Sequence, residues 1–222
     1  MVQSVLTCPE CGPLGREDVS VRCERLRRQN LQILPVFPTC RSCGSEVAVR
    51  HACTGGSLIV LNGTCGSGKS SVAEELAARH GYLAMDGDGV LQSARNRPGN
   101  ETVSLDSPVV LEEIGREIDL LSLYGDRFVL SHVILPEDAD RYRTLFASRN
   151  LRCVWILLRP DIETALARCR TRTCHRHPTP EHWTRLFHDR LAPDAGWHVL
   201  DNGSATLQDT TDEILEIARR IP

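Results

Sequence analysis

An apolar run at residues 58–61 ends in Asn62 and passes directly into Gly63-Thr64-Cys65-Gly66-Ser67-Gly68-Lys69-Ser70, after which Ser71 opens a helix-forming stretch to residue 80. Strand, then G-x-x-x-x-G-K-S, then helix is the layout of a phosphate-binding loop, and it calls for an α/β sheet around it. The glycines let backbone N–H groups close around a polyphosphate, and the helix N-terminus at Ser70 and Ser71 adds partial positive charge. The spacing sends Lys69 to the β- and γ-phosphates and Ser70 to Mg²⁺. Lys69 is also the only lysine in a chain whose Lys plus Arg total is 26. A compact ammonium fits between phosphates where a planar guanidinium does not, so the exception marks a chemical requirement.

With 222 residues, 41% of them hydrophobic, the chain suits one α/β domain and a small appendage. No apolar run approaches the ~18 residues of a membrane span. Residues 1–10 lack the basic and apolar regions of a signal peptide, so the expected location is the cytoplasm. The net charge of −3 is uneven: residues 1–56 hold seven arginines against five acids. Neither part is basic enough to announce nucleic acid.

Ten cysteines beside a phosphate loop point to a reducing compartment, where paired cysteines hold metal more often than disulfides. Cys8-Pro9-Glu10-Cys11 and Cys40-Arg41-Ser42-Cys43 are C-x-x-C knuckles, each followed by glycine, and residues 18–24 and 31–37 between them read as short strands. So small a segment cannot bury enough apolar surface to fold alone; a tetrahedral Cys₄ zinc site would supply the missing stability. The expectation is a zinc-ribbon-like unit over 1–53, with Cys8, Cys11, Cys40 and Cys43 as Zn²⁺ ligands and Cys23 and Cys53 as ordinary thiols.

From 57 to 222 strands and helices alternate. Strands are expected at 58–62, 82–85, 127–135, 151–158 and 197–200; helices at 69–80, 89–95, 108–124, 136–150, 161–170, 181–190 and 206–221. This predicts a five-stranded, doubly wound parallel sheet. Ligands of such sheets lie beyond the carboxyl ends of the strands, where Asp86-Gly87-Asp88 falls; the same triplet can also serve simply as a turn. The third strand runs into Ser131-His132 and offers no Walker-B acid. His132 reads as a hydrogen-bonded strand-end residue rather than a substrate contact.

The phosphate loop together with Leu83-Ala84-Met85-Asp86-Gly87-Asp88-Gly89-Val90 resembles the small P-loop kinases of metabolites, among them gluconate, shikimate and adenylylsulfate kinases and chloramphenicol phosphotransferase. The resemblance implies ATP and Mg²⁺ as cofactors, Gly63 to Ser71 around the nucleotide, Asp86 helping Ser70 to place Mg²⁺, and Asp88 receiving or orienting the acceptor hydroxyl. It also implies a lid near 170–180, whose Arg168 and Arg172 neutralise charge during transfer; an exposed arginine face is the other reading. The N-terminal unit departs from the family pattern.

These readings converge on an ATP- and Mg²⁺-dependent kinase of a small hydroxylated metabolite or antibiotic-like molecule. Two others stay open: a zinc-ribbon module binding nucleic acid or protein with an attached ATP/GTP switch, and a polynucleotide or RNA kinase. The weak charge and single aromatic residue, Phe37, of the first 53 residues count against nucleic acid.

Overall fold

The computed structural model describes residues 5–15, 18–23, 26–28, 31–33, 36–50, 55–96, 99–104, 107–171, 181–191 and 196–220. The N-terminal unit is built from short strands: β1 (Val5–Cys8), β2 (Gly12–Leu14), β3 (Val19–Cys23), β4 (Leu26–Arg28), β5 (Leu31–Ile33), β6 (Val36–Cys40) and β7 (Ala48–Arg50). They pair antiparallel as β2-β1-β7, β3-β6 and β4-β5. Two strands expected from the sequence are thus part of a richer set of hairpins. Among the described residues its core comprises Leu6, Cys8, Val19, Cys40 and Val47.

The larger unit carries β8 (Gly56–Asn62), α1 (Lys69–His80), β9 (Leu83–Asp86), α2 (Gly87–Arg95), α3 (Pro108–Leu121), β10 (Arg127–Ser131), α4 (Ala139–Ala147), β11 (Leu151–Leu158), α5 (Ile162–Thr171), α6 (Glu181–Arg190), β12 (His198–Leu200) and α7 (Leu207–Arg220). Its five strands are all parallel, in the order β12-β11-β8-β10-β9. The middle strands are apolar along their length because both faces are covered. Leu58, Val60, Phe128 and Leu130 face a layer that includes Val90, Ile114 and Phe146 of α2, α3 and α4. Ile59, Leu61, Val129 and Ile156 face Leu76 of α1 and Ile214 of α7. Fully burying each such side chain is worth about 1.5–3 kcal/mol.

Three departures from the expected layout have local causes. β10 ends at Ser131, short of 135, because the Asn62 side chain captures Ile134: its amide donates to the Ile134 carbonyl at 2.7 Å and its oxygen accepts the Ile134 N–H at 3.1 Å. The helix expected over 136–150 is a 3₁₀ turn at Pro136–Asp138 followed by α4, and Asn150 beyond it is left-handed at φ 54°. Finally, α2 begins at Gly87, with Asp86 as its N-cap accepting the Gly89 N–H at 3.3 Å.

The two units meet on α3. Arg116 bridges Glu113 of its own helix and Glu46 of the N-terminal unit, at 3.2 and 3.3 Å, and Leu123 packs on the small cysteine-bearing core. Among the described residues no helix is long and apolar enough to cross a membrane.

Candidate functional site

The loop from Gly63 to Gly68 leaves the carboxyl end of the central strand β8 and enters α1 at Lys69. Two glycines are sterically required. At Gly63 (φ 147°) a Cβ would lie 2.5 Å from the Leu158 carbonyl oxygen, and at Gly66 (φ 79°) one would lie 2.2 Å from that of Ala165. The left-handed Gly68 (φ 94°) is the N-cap of α1. Lys69 Nζ folds back over the loop, donating to the Gly63 and Thr64 carbonyls at 2.7 and 3.0 Å. Ser70 Oγ stands 3.5 Å from Ser131 Oγ, Cys65 is half-buried, and Ser71 is exposed in the first helical turn.

Groups outside the loop help to hold it. Asn62 Oδ1 accepts the Gly63 N–H at 2.8 Å while binding Ile134, so the start of the loop and the segment after β10 share one buried amide. Thr64 Oγ1 donates to the Thr184 carbonyl of α6 at 2.7 Å. Asn202, beyond β12, donates to the Ser67 carbonyl at 2.9 Å. Ser131 fills the place where a Walker-B acid would stand. Ser67 Oγ is buried without a protein partner, so the cradle retains one hydroxyl donor for a phosphate.

Adjacent parallel strands put the acids of β9 beside the loop. Ser131 is the register partner of both Leu61 and Asp86, so Asp86 ends its strand one neighbour away from the serine that touches Ser70. Glu74, one turn beyond Ser70, lies near enough for Asp86 to reinforce the upward shift that burial imposes on its carboxyl group. Ser70, Asp86 and Glu74 are hard oxygen donors of the kind Mg²⁺ selects. Asp88 is exposed in the first turn of α2. The triplet is therefore a strand end, cap and helix start, and its two carboxylates have different environments.

Gly87 has a reason of its own. The His132 ring lies against it, and a Cβ there would be 1.9 Å from Nδ1. His132 is 2% exposed, and its Nε2 is 2.9 Å from the Tyr142 hydroxyl. Burial first, and Lys69 second, lower its pKa to about 4 against the opposing pull of Asp88, so it is neutral at pH 7.

On the far side of the loop, Arg168 Nη2 donates to the carbonyls of Asn202 and Gly203 at 2.8 and 3.2 Å, bracing the turn before α7. Arg170 pairs with Glu181 across the base of the expected lid at 2.5 Å. Arg172 and the rest of the expected lid, residues 172–180, lie outside the described residues.

In the N-terminal unit the Sγ atoms of Cys8, Cys11, Cys40 and Cys43 lie within 4.8 Å of one another. The Cys8–Cys43 and Cys11–Cys40 separations are 3.4 and 3.8 Å. Zinc–sulfur bonds of about 2.3 Å in a tetrahedron set sulfurs roughly 3.8 Å apart, so the four thiols fit such an ion. The Cys11 N–H turns back to Cys8 Sγ at 3.3 Å. Ser45 draws the Cys43 thiol down to about 6, whereas its cysteine neighbours, Cys43 foremost, push Cys11 up to about 12. Four thiols this close would all be thiolates only around a cation. Cys53 and the side chain of Cys23 lie outside the described residues.

No protein-family model matches the sequence, and no curated protein sequence matches it. Solved structures do. A gluconokinase from Sinorhizobium meliloti superposes with a TM-score of 0.55 at 25% identity, over 74% of this chain and 92% of that one. The tunicamycin resistance protein of Deinococcus radiodurans gives 0.54 at 18% identity, over 72% and 94%. A sugar kinase from Janibacter sp. gives 0.55 at 19%, over 75% and 95%. Nearly all of each neighbour is matched, and the part of this chain left over is about the size of its cysteine-bearing unit. The chain thus has the fold of the small P-loop kinases, extended by a Cys₄ unit of zinc-ribbon layout.

Proposed function

We propose that the protein is a cytoplasmic kinase that transfers the γ-phosphoryl group of ATP to a hydroxyl of a small molecule, using a P-loop domain over 57–222 with a lid near 170–180. A ribbon over 1–53, held by structural Zn²⁺, is attached to it. The observation that supports this reading is the row Leu61–Ser131–Asp86, which sets the acid of the second strand beside Ser131, the third-strand residue that meets Ser70, where the third strand has no acid. Motor ATPases place their metal-binding acid on the third strand instead.

Bound Mg²⁺ would neutralise triphosphate charge, with Ser70, Asp86 and Glu74 placed to hold it. Lys69 would leave the Gly63 and Thr64 carbonyls for the phosphates, and the loop N–H groups would stabilise charge that builds up during transfer. Asp88 would accept the acceptor's proton as its oxygen forms the new P–O bond and the bond from Pγ to ADP breaks. Arg168, which reaches from α5 to brace the turn before α7, and Arg172 would attend the departing charge.

Asp88→Asn should keep ATP affinity and lose about two or more orders of magnitude in turnover, the usual scale for a general base. Asp86→Asn should raise the Mg²⁺ requirement instead. Nucleotide affinity measured beside acceptor-dependent ADP release separates the two variants. Unimpaired turnover by Asp88→Asn would refute its role; nucleotide binding that alters only partner binding, with no acceptor ever stimulating ADP release, would favour a switch.

A further inference from the structure

A cavity of about 500 Å³ opens between α2, the segment after β10, α4 and α6, within the range of small-molecule sites. It adjoins the candidate catalytic groups. Leu91 and Arg95 line it from α2, and both share a helical face with Asp88, three and seven residues earlier. Ile134, held to the loop through Asn62, forms part of its wall, as does Tyr142, the partner of His132.

We propose that the acceptor is an alcohol with a flat aromatic body, in place of a sugar or sugar acid. The inference rests on the kinase reading and specifies its substrate. Two observations carry it. Trp183 and Phe187 of α6 stack at 5.8 Å with their planes 21° apart and line the same cavity as Leu91, Val133 and Leu135; Trp183, which also meets the His182 ring, stays 44% exposed, leaving ring surface open to a ligand. Arg95, Asp138, Arg190 and Tyr142 of the wall each already have one protein partner, and the guanidinium groups of Arg95 and Arg190 keep further N–H donors. Arg95 Nε donates to the Val103 carbonyl at 2.8 Å, Asp138 accepts from Arg141 at 3.2 Å, Arg190 pairs with Glu137, and the Tyr142 hydroxyl is taken by His132. A polyol entering here would shed water against a wall made largely of aromatic and aliphatic side chains. An aromatic ring would exchange water for the exposed aromatic surface of α6 and three aliphatic side chains. Its hydroxyl would point along the α2 face towards Asp88.

The test uses the full chain with a fluorescent ATP analogue, and 1-phenyl-1,2-ethanediol and 2-phenylethanol against gluconate and glucose. The analogue should bind the wild-type protein. The aromatic alcohols should quench tryptophan fluorescence and stimulate ADP release, while gluconate and glucose do neither. Trp183→Ala should weaken the aromatic alcohols about tenfold, the scale of a lost aromatic contact, and Trp183→Phe should restore most of that loss. Failure of the ATP analogue to bind would remove the kinase reading itself. Analogue binding with stimulation by gluconate or glucose, or with no quenching by aromatic alcohols up to their solubility, would overturn the acceptor class alone. So would concentration-dependent dimerisation abolished by Trp183→Ala with no alcohol bound, which would make the aromatic face a contact between copies.

Discussion

Gly87→Ala probes the joint between the candidate catalytic turn and the sheet. The added Cβ would sit 1.9 Å from His132 Nδ1 and 2.7 Å from its Cγ, whereas ordinary contact begins near 3.4 Å. The ring must move by more than an ångström, yet it is buried and tied to Tyr142. Overpacking of this kind costs about 1–3 kcal/mol, and a lost buried hydrogen bond about 1 more. Alanine's better helix propensity returns at most about 1 kcal/mol. A net loss of roughly 2 kcal/mol should appear as a lower urea midpoint with an unchanged slope. The attribution is checked by a double-mutant cycle: in a His132→Ala background the same glycine substitution should cost less than about 0.5 kcal/mol, because the obstructing ring is gone. Equal costs in both backgrounds would show that the ring is not what requires glycine at 87.

Lys69→Ala should abolish phosphoryl transfer while leaving the urea midpoint nearly unchanged, since Nζ reaches over the loop and not into the core; Lys69→Arg should fail as well, and ADP release beside chemical denaturation reads both. Metal analysis should find about one zinc per chain, the Cys₄ stoichiometry, and chelation should free four thiols to titration while the parallel-sheet unit stays folded; reactive knuckle thiols in untreated protein would contradict the site. His132, lowered to about 4 by burial, refuses a proton that the unfolded chain accepts. Its contribution to stability is therefore complete above pH ~6.5 and declines as the pH falls towards about 4, at up to ~1.4 kcal/mol per pH unit and roughly 3 in all. Denaturation midpoints of the wild type and His132→Asn between pH 7 and 4 should differ in slope accordingly; parallel curves would contradict the shift.

Much of this architecture was legible because it depends on short-range patterns. Five apolar runs separated by amphipathic stretches leave a parallel sheet as the arrangement that covers both faces of Leu58–Leu61. The knuckle spacing likewise encodes a local geometry, two thiols on one turn, and the two turns converge in space as the residue types required. Boundaries were misplaced where a side chain overrode the pattern. The hydrophobicity of Val133, Ile134 and Leu135 continues that of β10, yet Asn62 turns them out of the sheet to wall the cavity. In the triplet 86–88, helix formation begins earlier than glycine's poor propensity suggests because Asp86 caps it and His132 leaves no room for a larger residue.

What stayed hidden shares a physical property. Asn62, Ser131, Thr184 and Asn202 act on the loop from four separate elements, with Thr184 separated from Thr64 by 120 residues and Asn202 from Ser67 by 135. No periodicity reports contacts of that kind. One signal was nevertheless available: Asn62 closes an apolar strand that must be covered on both faces, and a buried amide there has to find partners for both its oxygen and its nitrogen. The groups in reach are those of the chain leaving the neighbouring strand, which is where Ile134 lies. A strand-end asparagine before a phosphate loop thus has a geometric consequence beyond the loop, because the backbone it holds is the wall against which an acceptor must rest. Asn62→Ala would leave the glycines and Lys69 in place but release Gly63 and Ile134 together, so acceptor-dependent turnover should fall even where the nucleotide still binds. Comparing the acceptor KM with ATP affinity in that variant tests the coupling: an unchanged acceptor KM alongside weakened ATP binding would confine Asn62 to the phosphate loop.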